Sequence, residues 1–172
     1  MSGRKTPIRF KQCSGQALVE FALISVLLLS LLFGLIDFGR AILVRQVMVN
    51  LSREGANLAS RGTSFADTLN ALVASAHPLV IDQKGFLILT TVSRDNDGNL
   101  TITAQQSRGG TSVSSKVGQI GGGGVTLPNN SVPAPNQTLT VSEVFYTYEA
   151  WTPIGKLVGS SMPTTLYDAA YF

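Results

Sequence analysis

The stretch ALVEFALISVLLLSLLFGLI, residues 17–36, decides the architecture of this chain, because it holds twenty residues of which only Glu20 is charged. At about 1.5 Å per residue, a helix of this length covers roughly the 30 Å hydrocarbon core of a bilayer. The stretch therefore predicts a transmembrane helix. A secretory signal peptide is the competing interpretation, but the apolar run exceeds the usual ~7–15 residues and no clean A-x-A cleavage site follows it.

The basic residues concentrate before this stretch. The chain of 172 residues has thirteen Lys and Arg against ten Asp and Glu, a formal net charge of +3. Four of these cations precede Cys13, with no acid among them: Arg4, Lys5, Arg9 and Lys11. Without them, nine basic residues face ten acidic ones, which leaves a net charge of −1. The leader cations predict a cytoplasmic N-terminus, and the rest of the chain gives no support to nucleic-acid binding.

The helix is predicted to continue beyond the bilayer. No proline occurs from residue 14 to residue 60, so one helix over residues 16–61, roughly 70 Å long, is expected. Four apolar residues recur at helical spacing and form one stripe: Leu43, Val47, Leu51 and Leu58. Polar residues such as Arg45 and Ser52 fall off this stripe. We expect the stripe to pack against the remainder of the chain.

The residues after the long helix predict a second helix. Gly62 stands where glycine commonly ends a helix. Ser64 and Asp67 resemble a capping box, and apolar residues recur at helical spacing until Pro78 stops the pattern. The only histidine, His77, lies beside that proline and is expected at the surface.

Three segments predict strands, namely residues 86–92, 100–104 and 138–151. Asp97-Gly98 is a hairpin turn signal between the first two. In the last strand, Val144, Tyr146 and Tyr148 are expected on one face and Phe145 on the other. The predicted fold class is α+β, with a three- or four-stranded antiparallel sheet against the outer half of the long helix.

Two further segments complete this outer domain. Residues 106–137 hold seven glycines and three prolines, and they predict a flexible loop. Thr152 and Pro153, followed by Gly159, predict a short helix.

Motifs for catalysis or cofactor binding are weak in this chain. The Gly-rich run lacks the Gly-Lys-Ser/Thr of a phosphate loop, and the acidic turn at residues 95–97 lacks the closing Glu of an EF-hand. One cysteine, Cys13, allows no disulfide within the chain, and one histidine is too few for a structural zinc site. No nucleophile motif stands out. We therefore expect neither an enzyme nor a bound cofactor or metal.

Glu20 needs an explanation, because a carboxylate near the bilayer core is costly unless it is paired or neutralised. One explanation is that it simply reaches the headgroup region. The neighbouring residues suggest another. Gly15 followed by QALVEF resembles the prepilin processing motif. Together with the apolar run, three further groups resemble the TadE-like pseudopilins of bacterial tight-adherence (Tad/Flp) pilus systems: Gly34 with Ile36-Asp37, Gly39-Arg40 and Glu54-Gly55-Ala56.

This resemblance covers residues 15–59 and implies specific roles. Gly15 would be the cleavage-site residue for a prepilin peptidase and Gln16 the new N-terminus. Glu20, next to Phe21, would meet the α-amine of a neighbouring subunit when the helices bundle. The implied organisation is a leader (1–15), a transmembrane and assembly helix (16–36), its extracytoplasmic continuation (37–61) and a small head (62–172).

The implied function is that of a minor pilin or pseudopilin subunit that helps to assemble a pilus for surface attachment. Its partners would be the prepilin peptidase, other pilin subunits, the inner-membrane assembly machinery and the lipid bilayer. The expected location is the bacterial inner membrane, in a single pass with the head outside. The alternative is a membrane-anchored adhesin or binding module, in which the Gly-rich loop, Tyr146, Tyr148 and Trp151 contact a ligand.

Overall fold

The computed structural model describes residues 14–128, 131–153, 155–156 and 165–172. The leader cations, Cys13 and Gly159 lie outside these ranges. Among the described residues, the helices come first: α1 (Ser14–Ser60), α2 (Phe65–Ser75) and α3 (Ile81–Lys84). The strands follow: β1 (Gly85–Arg94), β2 (Leu100–Gly109), β3 (Thr138–Thr147) and β4 (Thr165–Tyr171). The predicted α+β class is confirmed.

The long helix α1 is unbroken over 47 residues, and it ends as predicted at Gly62. That glycine has a φ of +91°, a left-handed value that glycine adopts at low cost. The Gly62 N–H donates to the Ala59 carbonyl at 3.2 Å, and the Thr63 N–H donates to the Leu58 carbonyl at 3.3 Å. These two bonds are the pair that defines a Schellman motif.

The second helix, α2, begins with the predicted cap. Ser64 Oγ accepts a hydrogen bond from the Asp67 N–H at 3.1 Å and donates one to the Asp67 carboxylate at 2.6 Å. The helix ends at Ser75, before Pro78. His77 is exposed beyond this end, as expected for a surface residue.

The four strands form one antiparallel sheet in the order β2-β1-β3-β4. β1 and β2 are joined by the predicted hairpin turn, in which Gly98 has a φ of +91°. The Asp95 carboxylate accepts a hydrogen bond from the Asn99 N–H at 2.7 Å. Asp95 therefore stabilises the turn by closing it from within.

The strand bounds differ from the predicted ones. β2 runs to Gly109, so residues 106–109 are strand and not loop. Their backbones pair with β1 whatever their side chains, as the register of Leu89 with Gln106 shows. β3 ends at Thr147 and not at residue 151, because the chain then turns towards α1. Neither α3 nor β4 was recognised in the sequence, and β4 forms the sheet edge beside β3.

The inner face of the sheet packs on α1 and α2. Buried side chains from these elements form one cluster: Val44, Met48, Leu51, Leu69, Leu72, Leu87, Leu89 and Val144. Tyr146 and Tyr148 pack against this cluster from the end of β3 and beyond it. Phe145 points to the opposite face, where its ring centroid lies 4.9 Å from that of Tyr167. The predicted alternation of this strand is confirmed.

The buried face of α1 matches the predicted stripe only in part, because Leu51 is buried and Val47 packs against the core cluster. Leu43 is 44% exposed, and Val44 and Met48 are buried in its place. Ser52, which was expected off the stripe, is completely buried. The sheet approaches the helix where small side chains allow it, at Ser52 and Gly55, and hydrophobic periodicity does not reveal that preference.

The outer face of the sheet is covered by part of the Gly- and Pro-rich segment, residues 110–127, which we call the strap. Val117 and Leu127 of the strap are buried against Val92 and Val141 of the sheet. The strap therefore supplies a second, smaller core on the side of the sheet that faces away from α1.

Candidate functional site

The first part of α1, residues 15–36, projects from the head as an exposed apolar arm. No residue in its most apolar 18-residue window is buried, and α1 is the described helix that is long and apolar enough to cross a membrane. Apolar side chains exposed in such number need lipid or other helices around them. This arrangement fits a single-pass membrane anchor.

The four residues predicted for processing and assembly lie in the first two turns of the arm. A Cβ added at Gly15 would meet no atom within 4 Å, so this position is open. The structure brings Gln16 and Glu20 together, because Gln16 Nε2 donates to Glu20 Oε1 at 3.1 Å. Glu20 is exposed and keeps acceptor capacity for a further donor. Phe21 is also exposed.

Asp37 lies where the arm meets the head, and its side chain is buried. Asp37 Oδ1 accepts hydrogen bonds from the Trp151 N–H at 3.0 Å and the Thr152 N–H at 3.2 Å, and Oδ2 accepts one from the Thr152 hydroxyl. The Thr152 hydroxyl bond is the main cause of a lowered pKa at Asp37. Burial opposes it, and the two N–H bonds add to it. The ionised carboxylate thus docks the residues after β3 onto α1.

The segment that binds Asp37 is the helical turn predicted after the last strand. Thr152 Oγ1 accepts a hydrogen bond from the Gly155 N–H at 3.1 Å, which is an N-cap interaction. A Cβ at Gly155 would stand 1.9 Å from Asp37 Oδ2, so glycine is required for this close approach. The predicted start of the turn at Thr152-Pro153 is confirmed, while its predicted end at Gly159 lies outside the described residues.

Two aromatic residues flank the docked carboxylate. The Tyr148 hydroxyl donates to the Asp37 backbone carbonyl at 2.9 Å. The Arg40 guanidinium carbon lies 4.8 Å from the centroid of the Trp151 ring, within cation–π distance. Trp151 is nevertheless 70% exposed. Together these contacts define the orientation of the head relative to the arm.

Farther along α1, small residues let the helix approach the sheet. A Cβ at Gly55 would stand 2.5 Å from Ser142 Oγ and 2.8 Å from Leu72 Cδ1. One turn earlier, the Ser52 hydroxyl donates to the Asp168 carboxylate of β4 at 2.5 Å. The glycine of the Glu-Gly-Ala group therefore has a packing reason: it lets α1 contact both α2 and β3.

On the outer face of the sheet, Glu143 holds the strap. Its buried carboxylate accepts hydrogen bonds from the Ser115 hydroxyl, from the Lys116 N–H at 2.8 Å and from the Tyr167 hydroxyl at 3.1 Å. Lys116 Nζ also lies 3.7 Å from the centroid of the Tyr167 ring. Burial, and after it the charge of Glu143, raise the pKa of Tyr167, so this hydroxyl remains a donor.

Two open clefts adjoin the strap. One of about 420 Å³ is lined by polar residues such as Gln105, Ser115 and Gln119, and one of about 360 Å³ by Lys116 and Tyr167 among others. Within the described ranges, no group of three His, Cys, Asp or Glu side chains could hold a metal ion. Neither described lining combines a nucleophile with a histidine base.

The aromatic residues of the alternative binding function do not share one surface. Tyr146 and Tyr148 pack against the inner core cluster, and of the three only Trp151 presents most of its ring to the outside. The strap lies on the other face of the sheet. A ligand would therefore not meet the strap and all three rings together.

Sequence reasoning missed the structural roles of three carboxylates. The sequence does hint at a structural role for Asp37, since this acid interrupts an apolar run immediately after the predicted span. The hint for Glu143 is weaker, because strand alternation places it on the same face as Val141 and Phe145. There is none for Asp168, because β4 was not recognised.

Comparison with known proteins gives one match. Residues 15–57 match the model of the family described as TadE-like protein, which covers about a quarter of the chain. Neither the comparison with curated proteins nor the comparison with solved structures gives a match. The matched residues contain the exposed arm, the docking residue Asp37 and the close-packed Gly55. The N-terminal helix of the chain is therefore similar to that of TadE-like proteins, a family associated with Tad pilus systems.

Proposed function

We propose that this chain is a minor pilin or pseudopilin subunit of a tight-adherence pilus. The observation that carries the proposal is the division of α1, whose first half is bare and apolar while its second half is packed into the head. A bare helix can exchange lipid neighbours for the helices of sibling subunits without unfolding the head. In this proposal the arm spans the inner membrane and the head lies on its outer side.

Processing after Gly15 is the first step that we propose. It would remove residues 1–15 and make Gln16 the new N-terminal residue. The charged α-amine of Gln16 would then lie one helical turn before Glu20. In a bundle, Glu20 of one subunit would pair with the α-amine of the next. That pairing offsets the free-energy cost of moving the charged carboxylate into an apolar environment. It would also set the register between subunits.

N-terminal sequencing and intact mass test the processing step. The protein would be isolated from membranes of cells with and without the prepilin peptidase. We expect a chain that begins at Gln16 only when the peptidase is present, and that stays in the membrane in both strains. A chain that starts at Met1 or Ser2 in both strains would overturn the proposal.

The same experiment separates the alternatives. A processed chain that is found in sheared pili supports the role as a pilus subunit. An uncut chain that stays in the membrane points to the adhesin or binding module. A soluble product cut beyond Ile36 would mean that the arm is only a signal peptide.

A further inference from the structure

Trp151 is the only tryptophan of the chain, and it lies on the surface of the head with 70% of its area exposed. The guanidinium carbon of Arg40 lies 4.8 Å from the centroid of the Trp151 ring. Arg40 is also exposed. A large apolar ring and a cation are thus presented together at one point of the surface.

The level of Trp151 along α1 is set by its backbone. Its N–H bonds to Asp37, and its ring lies beside Arg40. These positions are one and four residues beyond Ile36, the end of the apolar run, or about 1.5–6 Å along the helix. A headgroup layer occupies about 5–7 Å on each side of the hydrocarbon core. When the arm spans a bilayer, Trp151 would therefore lie at the level of the headgroups.

The depth of the helix in the bilayer cannot shift far. Deeper insertion would carry the ionised Asp37 and the docked turn at Thr152 into hydrocarbon, which is costly. Shallower insertion would move Ile36 and the apolar residues before it into water. The joint between arm and head would thus limit how far the helix can move into or out of the bilayer.

We infer that Trp151 and Arg40 form an interfacial anchor, through which the head rests on lipid headgroups while the chain is in the membrane. The indole suits this layer because its ring is apolar and its N–H is polar. The planar guanidinium of Arg40 can lie on the ring and still donate to a lipid phosphate. This inference rests on the membrane anchor and not on the role as a pilus subunit.

The single tryptophan makes the test direct. The full chain would be reconstituted into phosphatidylcholine–phosphatidylglycerol vesicles. Fluorescence of Trp151 would be quenched with lipids brominated close to the headgroup or close to the chain terminus, and separately with aqueous iodide. We expect the shallow bromine to quench several-fold more strongly than the deep one. Iodide should quench Trp151 much less than it quenches free N-acetyltryptophanamide.

A control variant moves the probe to the far end of the head. Trp151→Phe combined with Asp97→Trp places the only tryptophan at the exposed β1–β2 turn, roughly 30 Å away along β1. This variant should be quenched by iodide and not by either bromolipid. Trp151 quenched like this control would overturn the inference. Shielding of Trp151 from both iodide and bromolipid would overturn it as well, because protein and not lipid would then cover the ring.

The Arg40 part of the anchor has its own test. Arg40→Gln should lower the quenching of Trp151 by the shallow bromolipid, because the ring loses the cation that pairs with phosphate beside it. Unchanged quenching would remove Arg40 from the anchor.

Discussion

Asp37 is the residue that joins the arm to the head. Its carboxylate accepts two backbone N–H bonds and one hydroxyl bond from residues that lie more than a hundred positions later in the chain. Because these bonds favour the charged form, the pKa of Asp37 is lower in the folded protein than its ordinary value of 3.8. A lowered carboxyl pKa contributes stability above the unfolded pKa, and this contribution is lost as the pH falls through the folded pKa.

Asp37→Asn should therefore destabilise the head most at neutral pH. We expect a loss of about 1–3 kcal/mol in the free energy of unfolding at pH 7, because buried donors lose their charged acceptor. The difference in the free energy of unfolding between wild type and variant should narrow as the pH falls below about 4. Urea unfolding of the full chain in detergent micelles at several pH values would measure it. Asp97→Asn, in an exposed turn, is the control. Its free energy of unfolding should stay close to that of the wild type.

Gly55 offers a second prediction for a single residue. Gly55→Leu raises helix propensity but places a side chain where Ser142 and Leu72 already are. We expect it to lower the free energy of unfolding by about 1–3 kcal/mol or more, as overpacking does. Gly39→Leu is the matched control, because a Cβ at Gly39 meets nothing within 4 Å. Thermal unfolding followed by circular dichroism compares the two, and equal melting temperatures would contradict the packing role of Gly55.

Among the elements, the strap shows how a segment without helix or strand is placed on the sheet. It contributes Val117 and Leu127 to the outer core, and its polar attachment is the buried carboxylate of Glu143. Burial of that carboxylate is compensated by three donors, two from the strap and one from β4. Glu143 thus connects the strap to both β3 and β4.

Glu143→Ala should release the strap while the inner core stays folded. Hydrogen exchange of amides near Lys116 is expected to speed up by at least about tenfold, which corresponds to about 1.4 kcal/mol. Amides of β1 should keep their protection. Glu149→Ala removes an exposed carboxylate that pairs with Lys84 and serves as the control. Unchanged exchange at Lys116 in the Glu143 variant would show that apolar contacts alone hold the strap.

The whole molecule combines a packed head with a helix that projects from it. Since the arm makes no buried contact with its own head in the apolar window, its environment has to come from lipid or from other chains. Assembly would therefore act on the arm, and Glu20 is the charged group within it. The exposed Glu20 carboxylate and its Gln16 neighbour lie on this bare arm.

Glu20→Ala should leave membrane insertion and cleavage largely intact but reduce incorporation into pili. Removing one partner of a buried charge pair costs about 3–5 kcal/mol, so we expect incorporation into pili to fall by about a hundredfold or more. The measurement is the amount of subunit in sheared pili from cells that lack the native copy. Glu54→Ala, on the exposed side of the same helix within the head, is the control. Normal piliation by the Glu20 variant would contradict the proposed pairing.

Local patterns in the sequence determined α1, α2 and the ends of these two helices. The apolar run of residues 17–36 predicted the arm because hydrocarbon-length helices need only composition and length. Gly62, Ser64 and the Asp97-Gly98 turn marked boundaries correctly, because caps and turns are made by neighbouring residues. The residues of the candidate processing and assembly site, Gly15 to Phe21, were also found from their order along the chain, and their roles remain predictions.

Only the tertiary structure decided the rest, because it depends on contacts between distant residues. The buried face of α1 includes Ser52, which meets Asp168, 116 positions away, and hydrophobic spacing predicted only part of that face, such as Leu51. β4 has a short, mixed sequence whose strand identity comes from pairing with β3. The docking of Asp37 and the burial of Glu143 likewise require partners that no local pattern specifies, since a buried carboxylate is stable only where the fold brings its donors together.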